Sequence, residues 1–217
     1  MQIPSVYRMK QRIDYRKKDS VMTPSILSLD RYRVMLASAS PRRHELLKML
    51  GVDFTVAPSV EVNEVYPREL PAEDVAPYLA ALKAEAYRRT MPEDALMITA
   101  DTVVIAEGKV LGKPADESEA IAMLHALSGR THKVVTGICV FTPEKMLSDR
   151  AETEVTFAPL TEEEIREYVT VCHPLDKAGA YGIQEWIGAI GVQSIHGSFY
   201  NVMGLPLHKL YTLLKEF

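Results

Sequence analysis

At 217 residues the chain is long enough to bury one substantial core, and its 47% hydrophobic and 25% charged content is that of a globular protein rather than a disordered one. A formal net charge of −4 excludes a broad basic surface for nucleic acid, so any anion site has to be local. Cys139 and Cys172 are too few for a disulfide framework and lack zinc spacing, and no stretch approaches the ~20 apolar residues of a membrane helix; a cytoplasmic setting is expected, with neither nucleic acid nor membrane as partner.

Residues 1–32 read as a basic extension outside the core, where Arg8, Lys10, Arg12, Arg16, Lys17 and Lys18 crowd around Asp14 and Asp19 without helical or strand period. Residues 33–217 read as one packed unit in which short apolar runs alternate with helical patterns, the mark of an α/β layer structure. Residues 34–37 form the first strand, and residues 41–50 a helix that turns Leu46, Leu47 and Leu50 inward and stops at Gly51. An extended segment over 53–57 leads to a helix over 72–89, with Val75, Leu79, Leu82 and Ala86 at helical spacing. Residues 96–106 are a second apolar strand, turned at Glu107-Gly108-Lys109 into a hairpin with Val110-Leu111. A helix over 117–127 precedes two longer strands, 132–141 and 151–157, joined through Thr142-Pro143-Glu144, so a mixed sheet is expected. Thr161 and Glu164 have capping-box spacing for a helix to about residue 171, and residues 205–214 close the chain as a helix.

Two segments carry the signs of a site. Ser38-Ala39-Ser40-Pro41-Arg42-Arg43 joins the first strand to the first helix, with Ser40 as N-cap and Pro41 as first helical residue. Free N–H groups and the positive end of the helix dipole make two arginines there electrostatically misplaced unless a polyphosphate arrives. Spacing alone leaves them equally readable as cations turned to water. Lys113 in Gly112-Lys113-Pro114, and Lys83 along the 72–89 helix, are further phosphate candidates that a surface role would also explain. The Gly-Lys pair is not a P-loop, since Glu107 stands five residues before Gly112 and Pro114 replaces the needed Ser or Thr.

The second segment is acidic. Asp101 interrupts Met97-Ile98-Thr99-Ala100-Asp101-Thr102-Val103-Val104, where an ionised carboxylate is costly unless paired or metal-bound, so it reads as a base, a magnesium ligand or a structural acceptor for loop N–H groups. Glu64, in Val62-Asn63-Glu64, is the second candidate acid, with solvent exposure as its plain alternative. Residues 175–184 are rich in small residues that admit close backbone approach, and Gln184 both donates and accepts, as reading a base edge requires; a tight structural connection explains that segment equally well.

In this order, Leu36-Ala37-Ser38-Ala39-Ser40-Pro41-Arg42-Arg43, Ala100-Asp101-Thr102-Val103, Gly112-Lys113-Pro114, Thr136-Gly137, Asp176-Lys177-Ala178-Gly179-Ala180-Tyr181-Gly182-Ile183-Gln184 and Gly204-Leu205-Pro206-Leu207 resemble the Maf family of nucleoside triphosphate pyrophosphatases over residues 34–217. The resemblance implies an elongated α/β fold with a mixed sheet and two lobes around a cleft, and hydrolysis of a triphosphate to monophosphate and pyrophosphate. It implies Asp101 as the proton acceptor, and Arg42, Thr102 and Gln184 as the specificity positions of the branch acting on dTTP and UTP. Ser38, Arg43, Lys83 and Lys113 are the expected phosphate contacts, and Glu64 with Asp101 the expected ligands of a divalent cation, magnesium or manganese. Asn63 stands where the family often has an acid, which leaves Glu64 alone. The expected partner is a nucleoside triphosphate, with a homodimer left open. A nucleotide-binding regulator of cell division without turnover, and an enzyme for non-standard purine triphosphates, are the competing readings.

Overall fold

A computed structural model describes residues 27–217. Its frame is a seven-stranded mixed sheet in the order β2-β1-β3-β5-β6-β7, with β4 also beside β3. The strands are β1 (Arg33–Leu36), β2 (Thr55–Val56), β3 (Ala95–Ala106), β4 (Lys109–Leu111), β5 (Thr131–Phe141), β6 (Met146–Phe157) and β7 (Val192–His196). Helices α1 (Pro41–Met49), α2 (Ala72–Arg88), α3 (Glu117–Leu127), α4 (Glu162–Cys172), α5 (Trp186–Gly191), α6 (Phe199–Met203) and α7 (Leu207–Leu214) cover its two faces. The α/β class, the mixed sheet and the hairpin at Glu107-Gly108-Lys109 agree with the sequence reading.

Strand period 2 sorts β3 into two layers. Met97, Val103 and Ile105 pack beneath α2 against Val75, Ala76, Leu79, Ala80 and Ala84. Leu96, Ile98 and Ala100 face the opposite way, onto Leu46 and Leu47 of α1 and Leu207, Leu210 and Leu214 of α7. Further along that same face, Val104 and Ala106 meet α3 and α4 through Leu124, Leu127, Ile165 and Tyr168. The long strands β3, β5 and β6 thus run through two lobes, one closed by α1 and α7 and the other by α3, α4 and α5.

The partners of β3 explain the cleft between the lobes. On one edge β3 pairs continuously with β5, from Met97 opposite Phe141 to Ile105 opposite Lys133. On the other edge β1 runs parallel to it only as far as Ile98, and β4 joins it antiparallel only from Val104. Residues 99–103 therefore have no strand neighbour on that side, and Asp101 is the middle residue of the gap.

Helix α2 approaches the sheet closely at one point. Gly137 on β5 lies directly opposite Asp101, and a Cβ there would stand 2.7 Å from the Ala76 carbonyl carbon and closer still to the Pro77 backbone. Pro77 lies inside α2 and removes the N–H that would have served the Glu73 carbonyl; Arg150 Nη1 donates to that oxygen instead, at 3.4 Å. The capping box at Thr161 and Glu164 forms as its spacing predicts. Ser40 occupies the N-cap position of α1, but its hydroxyl makes no cap bond, so the N–H groups of the first turn keep their donors.

Two boundaries differ from the sequence reading by more than two residues. Leu27 and Leu29 are buried and Tyr32 packs beside them on the α1–α7 core, so residues 27–32 belong to the packed unit and the boundary expected at 32/33 lies further toward the N-terminus. The rest of the expected basic extension, residues 1–26, lies outside the described residues. Strand β6 starts at Met146 rather than at residue 151, because eleven consecutive pairs with β5 carry it outward from the core, where its side chains need not be apolar.

Gly137→Ala should lower stability by about 3 kcal/mol, since backbone rather than a movable side chain meets the added methyl. Urea denaturation of the variant measures this, and a loss below about 1 kcal/mol would show that α2 has room to retreat.

Candidate active site

A cavity of about 670 Å³ opens at the unpaired edge of β3. Its lining includes Ser38, Arg42, Arg43, Glu64, Lys83, Asp101, Thr102, Lys113 and Gln184, so the fold brings together every residue singled out in the sequence. They come from the β1–α1 turn, the first turn of α1, the 57–66 segment, α2, β3, the segment after β4, and the loop that follows α4.

Asp101 is compensated from two sides. Its Oδ1 accepts the Thr102 N–H at 2.7 Å, and its Oδ2 accepts from Lys83 Nζ at 2.6 Å. Lys83 Nζ also lies 3.0 Å from Glu64 Oε2. One ammonium delivered by α2 therefore stands between the two acids, and the contact depends on how near Gly137 lets α2 come. Asp101 and Lys83 are mostly buried, whereas Glu64 is half-exposed. Two carboxylates that reach a single cation are a donor set suited to magnesium or manganese, which take one or two protein carboxylates and complete their shell with water and phosphate oxygens. Among the described residues no group of three or more His, Cys, Asp and Glu side chains gathers into a cage, so substrate and water would supply the remaining ligands.

Thr102, next along the strand, points to the other layer. Its Oγ1 accepts from Arg43 Nη2 at 3.0 Å and lies 2.9 Å from Thr136 Oγ1. Arg43 Nε donates to the Gly204 carbonyl at 2.8 Å, and Nη1 is 3.5 Å from Ser38 Oγ. Burial holds the Arg43 guanidinium below the ordinary arginine range, with the Asp101 charge opposing the shift and Arg42 adding to it. A desolvated cation beside a second arginine is electrostatically in want of anions.

Arg42 is oriented differently. Its Nη1 donates to Asp176 Oδ2 at 2.7 Å, an ion pair that crosses from the α1 lobe to the loop after α4. Asp176 also accepts from Lys177 Nζ at 2.7 Å; burial would raise its pKa, and the Lys177 and Arg42 bonds outweigh that and hold it below the ordinary range. Lys177 is 7% exposed and reaches Glu185 Oε1 at 3.2 Å, while Glu185 accepts from the Tyr168 hydroxyl. Gln184 lines the cavity with an exposed side chain, and Lys113 does the same from the segment after β4.

Asp176, Lys177 and Tyr181 also line the cavity and were not picked out beforehand. Tyr181 forms an edge-to-face cluster with His132 and Phe157, and its hydroxyl lies 2.8 Å from His132 Nε2. The available signal was the adjacent Asp-Lys pair in a run of small residues, where charges have no reason to be unless they pair or bind.

Residues 33–217 match the family described as Maf-like protein. The chain belongs to the Maf family. A relative from Phocaeicola vulgatus, named dTTP/UTP pyrophosphatase, is 53% identical over 189 residues, covering 87% of this Maf chain and 98% of the relative. Relatives of the same name from Parabacteroides distasonis and Flavobacterium psychrophilum are 52% and 45% identical, over 88% and 84% of the chain and 98% and 93% of their own lengths. Among solved structures, a HAM1 protein from Coxiella burnetii superposes with a TM-score of 0.43 at 19% identity, covering 86% of this chain and 100% of that one.

His132 makes the wall of the Maf site sensitive to acid. Burial pushes its pKa from 6.5 down to about 4, so the folded state keeps it neutral while the unfolded chain protonates near the ordinary value. The unfolded state then binds more protons between these limits, and stability is lost as pH falls through that window, by about 2 kcal/mol at pH 5. Comparison of urea midpoints at pH 7 and pH 5 should show this slope in the wild type and its reduction in His132→Gln; equal slopes would place the titration elsewhere.

Proposed function

We propose that this chain is a nucleoside triphosphate pyrophosphatase that hydrolyses dTTP and UTP to the monophosphate and pyrophosphate, in the cytoplasm, as a guard on the nucleotide pool. The observation that carries the reading is the convergence of Arg42, Arg43, Lys83 and Lys113 with the acids Asp101 and Glu64 on one cavity at the open edge of β3. A polyphosphate needs several cations within its own length, and attack on phosphorus needs an acceptor for the proton of water. Both requirements meet within this lining, in a chain about half identical to proteins named for that reaction.

In the proposed reaction the arginines and lysines hold the phosphates, with Arg43 as the most firmly held fork. Asp101 Oδ2 accepts a proton from the water that attacks the α-phosphorus. The bond from that phosphorus to the α–β bridging oxygen breaks, and pyrophosphate leaves with the electron pair. Lys83, shared between Asp101 and Glu64 in the free protein, turns its charge to the incoming phosphates, which releases Asp101 to act as acceptor. Charge neutralisation and in-line placement supply most of the rate in such transfers. Glu64 and Asp101 would hold a divalent cation, magnesium or manganese, which supplies further neutralisation of phosphate charge when bound. The retained Asp101 counts against a binder without turnover.

Asp101→Asn keeps shape and an acceptor for Lys83 but loses basicity. Its kcat should fall ~100-fold or more with nucleotide binding retained, because general-base catalysis typically contributes that much. A variant that kept more than about a tenth of the activity would remove the base from Asp101.

Substrate choice tests the rest of the reading. With magnesium present and released pyrophosphate as readout, dTTP and UTP should be turned over ~10- to 100-fold faster than 7-methyl-GTP, ATP and dCTP, since a lost hydrogen bond to a base costs about 1–3 kcal/mol. Equal rates across the panel would leave Arg42, Thr102 and Gln184 without a role in selection. Binding of dTTP without any release would favour the regulator.

A further inference from the structure

Gly137 is explained by the close approach of α2, but Thr136 beside it faces the other layer and is not among the cavity lining. It is 0% exposed, and a hydroxyl so placed needs partners. It has two. Thr136 Oγ1 donates to the Asn201 carbonyl at 3.1 Å, and Thr102 Oγ1, its cross-strand neighbour, lies 2.9 Å away. A hydroxyl has one proton to give. With that of Thr136 committed to Asn201, Thr102 donates to Thr136 and keeps its own oxygen to accept from Arg43 Nη2. The chain of donation therefore runs one way, from the guanidinium through two hydroxyls to a backbone carbonyl of α6.

Helix α6 closes the loop. The Asn201 side chain is 0% exposed, and its amide donates to the Val134 carbonyl at 3.0 Å and to Thr153 Oγ1 at 2.9 Å, which fixes α6 on β5 and β6. The helix ends at Gly204, in the left-handed region at φ 110°, whose carbonyl accepts from Arg43 Nε at 2.8 Å. Both bonds that set the plane of the Arg43 guanidinium trace to the same helix. Nη1, with only a 3.5 Å contact to Ser38 Oγ, keeps its donors for a ligand.

The geometry points to Thr136 as a positioning residue for Arg43: acting through Thr102, and with Asn201 behind it, Thr136 holds the guanidinium fork toward the cavity so that a polyphosphate meets an oriented cation. The inference deepens the pyrophosphatase reading and rests on Arg43 as a phosphate ligand. It also gives Thr102 a mechanical task, because that side chain touches Arg43 and bears on substrate through it. A threonine suits both relay positions, since each must accept one bond and donate another; valine has the shape and neither capacity.

The test compares Thr136→Val with Thr136→Ser by two readouts, the affinity for inorganic tripolyphosphate by calorimetry and the kinetics of dTTP hydrolysis. Thr136→Val should weaken tripolyphosphate binding about 5- to 20-fold and raise KM by a similar factor, with kcat changed less than about threefold; Thr136→Ser, which keeps the hydroxyl, should recover most of the affinity. Thr102→Val should show the same loss, and the double variant Thr102→Val/Thr136→Val should be no worse than Thr102→Val alone, because one chain is broken only once. Should Thr136→Val fail to fold, Thr102→Val against Thr102→Ser makes the same comparison. Wild-type affinity in folded Thr136→Val, or additive losses in the double variant, overturns the relay. If the wild type binds tripolyphosphate but hydrolyses no nucleoside triphosphate, the hydrolase reading fails while the affinities still decide the relay; if it binds no tripolyphosphate, both fall.

Discussion

An ionised carboxylate in the middle of a twelve-residue strand with a mostly buried surface is the constraint around which this protein is arranged. Asp101 can stay charged there only where water, a cation and a backbone donor reach it. The sheet supplies the first by leaving residues 99–103 without a neighbour on one edge. Lys83 supplies the second, and the Thr102 N–H the third. Gly137 is part of the same solution: with no side chain opposite Asp101, α2 descends onto the sheet and its lysine comes within hydrogen-bonding distance.

Adjacent positions on β3 serve different purposes because strand alternation sends them to different layers. Asp101 meets α2, whereas Thr102 meets Arg43 of α1 and the hydroxyl network beneath α6. The cavity wraps around the open edge of the strand and so collects both. Asp101 with Lys83 thus stands on one side of β3 and Arg43 with Thr102 on the other. No single lobe contains the whole site.

Two of the cations at the cavity are balanced internally in the free protein. Lys83 stands between Asp101 and Glu64, and Arg42 is satisfied by Asp176, itself tied to Lys177 and Glu185. Arg43 differs from these two, since its bonds go to neutral oxygens of Thr102 and Gly204. A polyphosphate bound as proposed would meet Arg43 without breaking an ion pair, and would have to compete with carboxylates for Arg42 and Lys83. The orientation of Arg43 is thus set by the scaffold itself, through Gly204 and the Thr102–Thr136 pair, rather than by an acidic partner.

The sequence by itself determined the alternation of strands and helices, the hairpin at Glu107-Gly108-Lys109 and the candidates Arg42, Arg43 and Asp101, because each depends on local chemistry: periodicity, turn residues, or a charge in apolar company. Elements α5, β7 and α6, of six, five and five residues, were not legible, since spans so short carry less than two helical turns or a clear alternation. Leu27 and Leu29 were hidden for a similar reason, as the short apolar run of Ile26, Leu27 and Leu29, broken by serine, shows no clear period until a core is present to receive it. Only the tertiary structure decided that Lys83 pairs with Asp101, that Arg42 reaches across the cleft to Asp176, and that Thr136 lies behind Thr102. Those contacts join residues 18 to 134 positions apart, and they follow from strand register and the depth at which α2 packs.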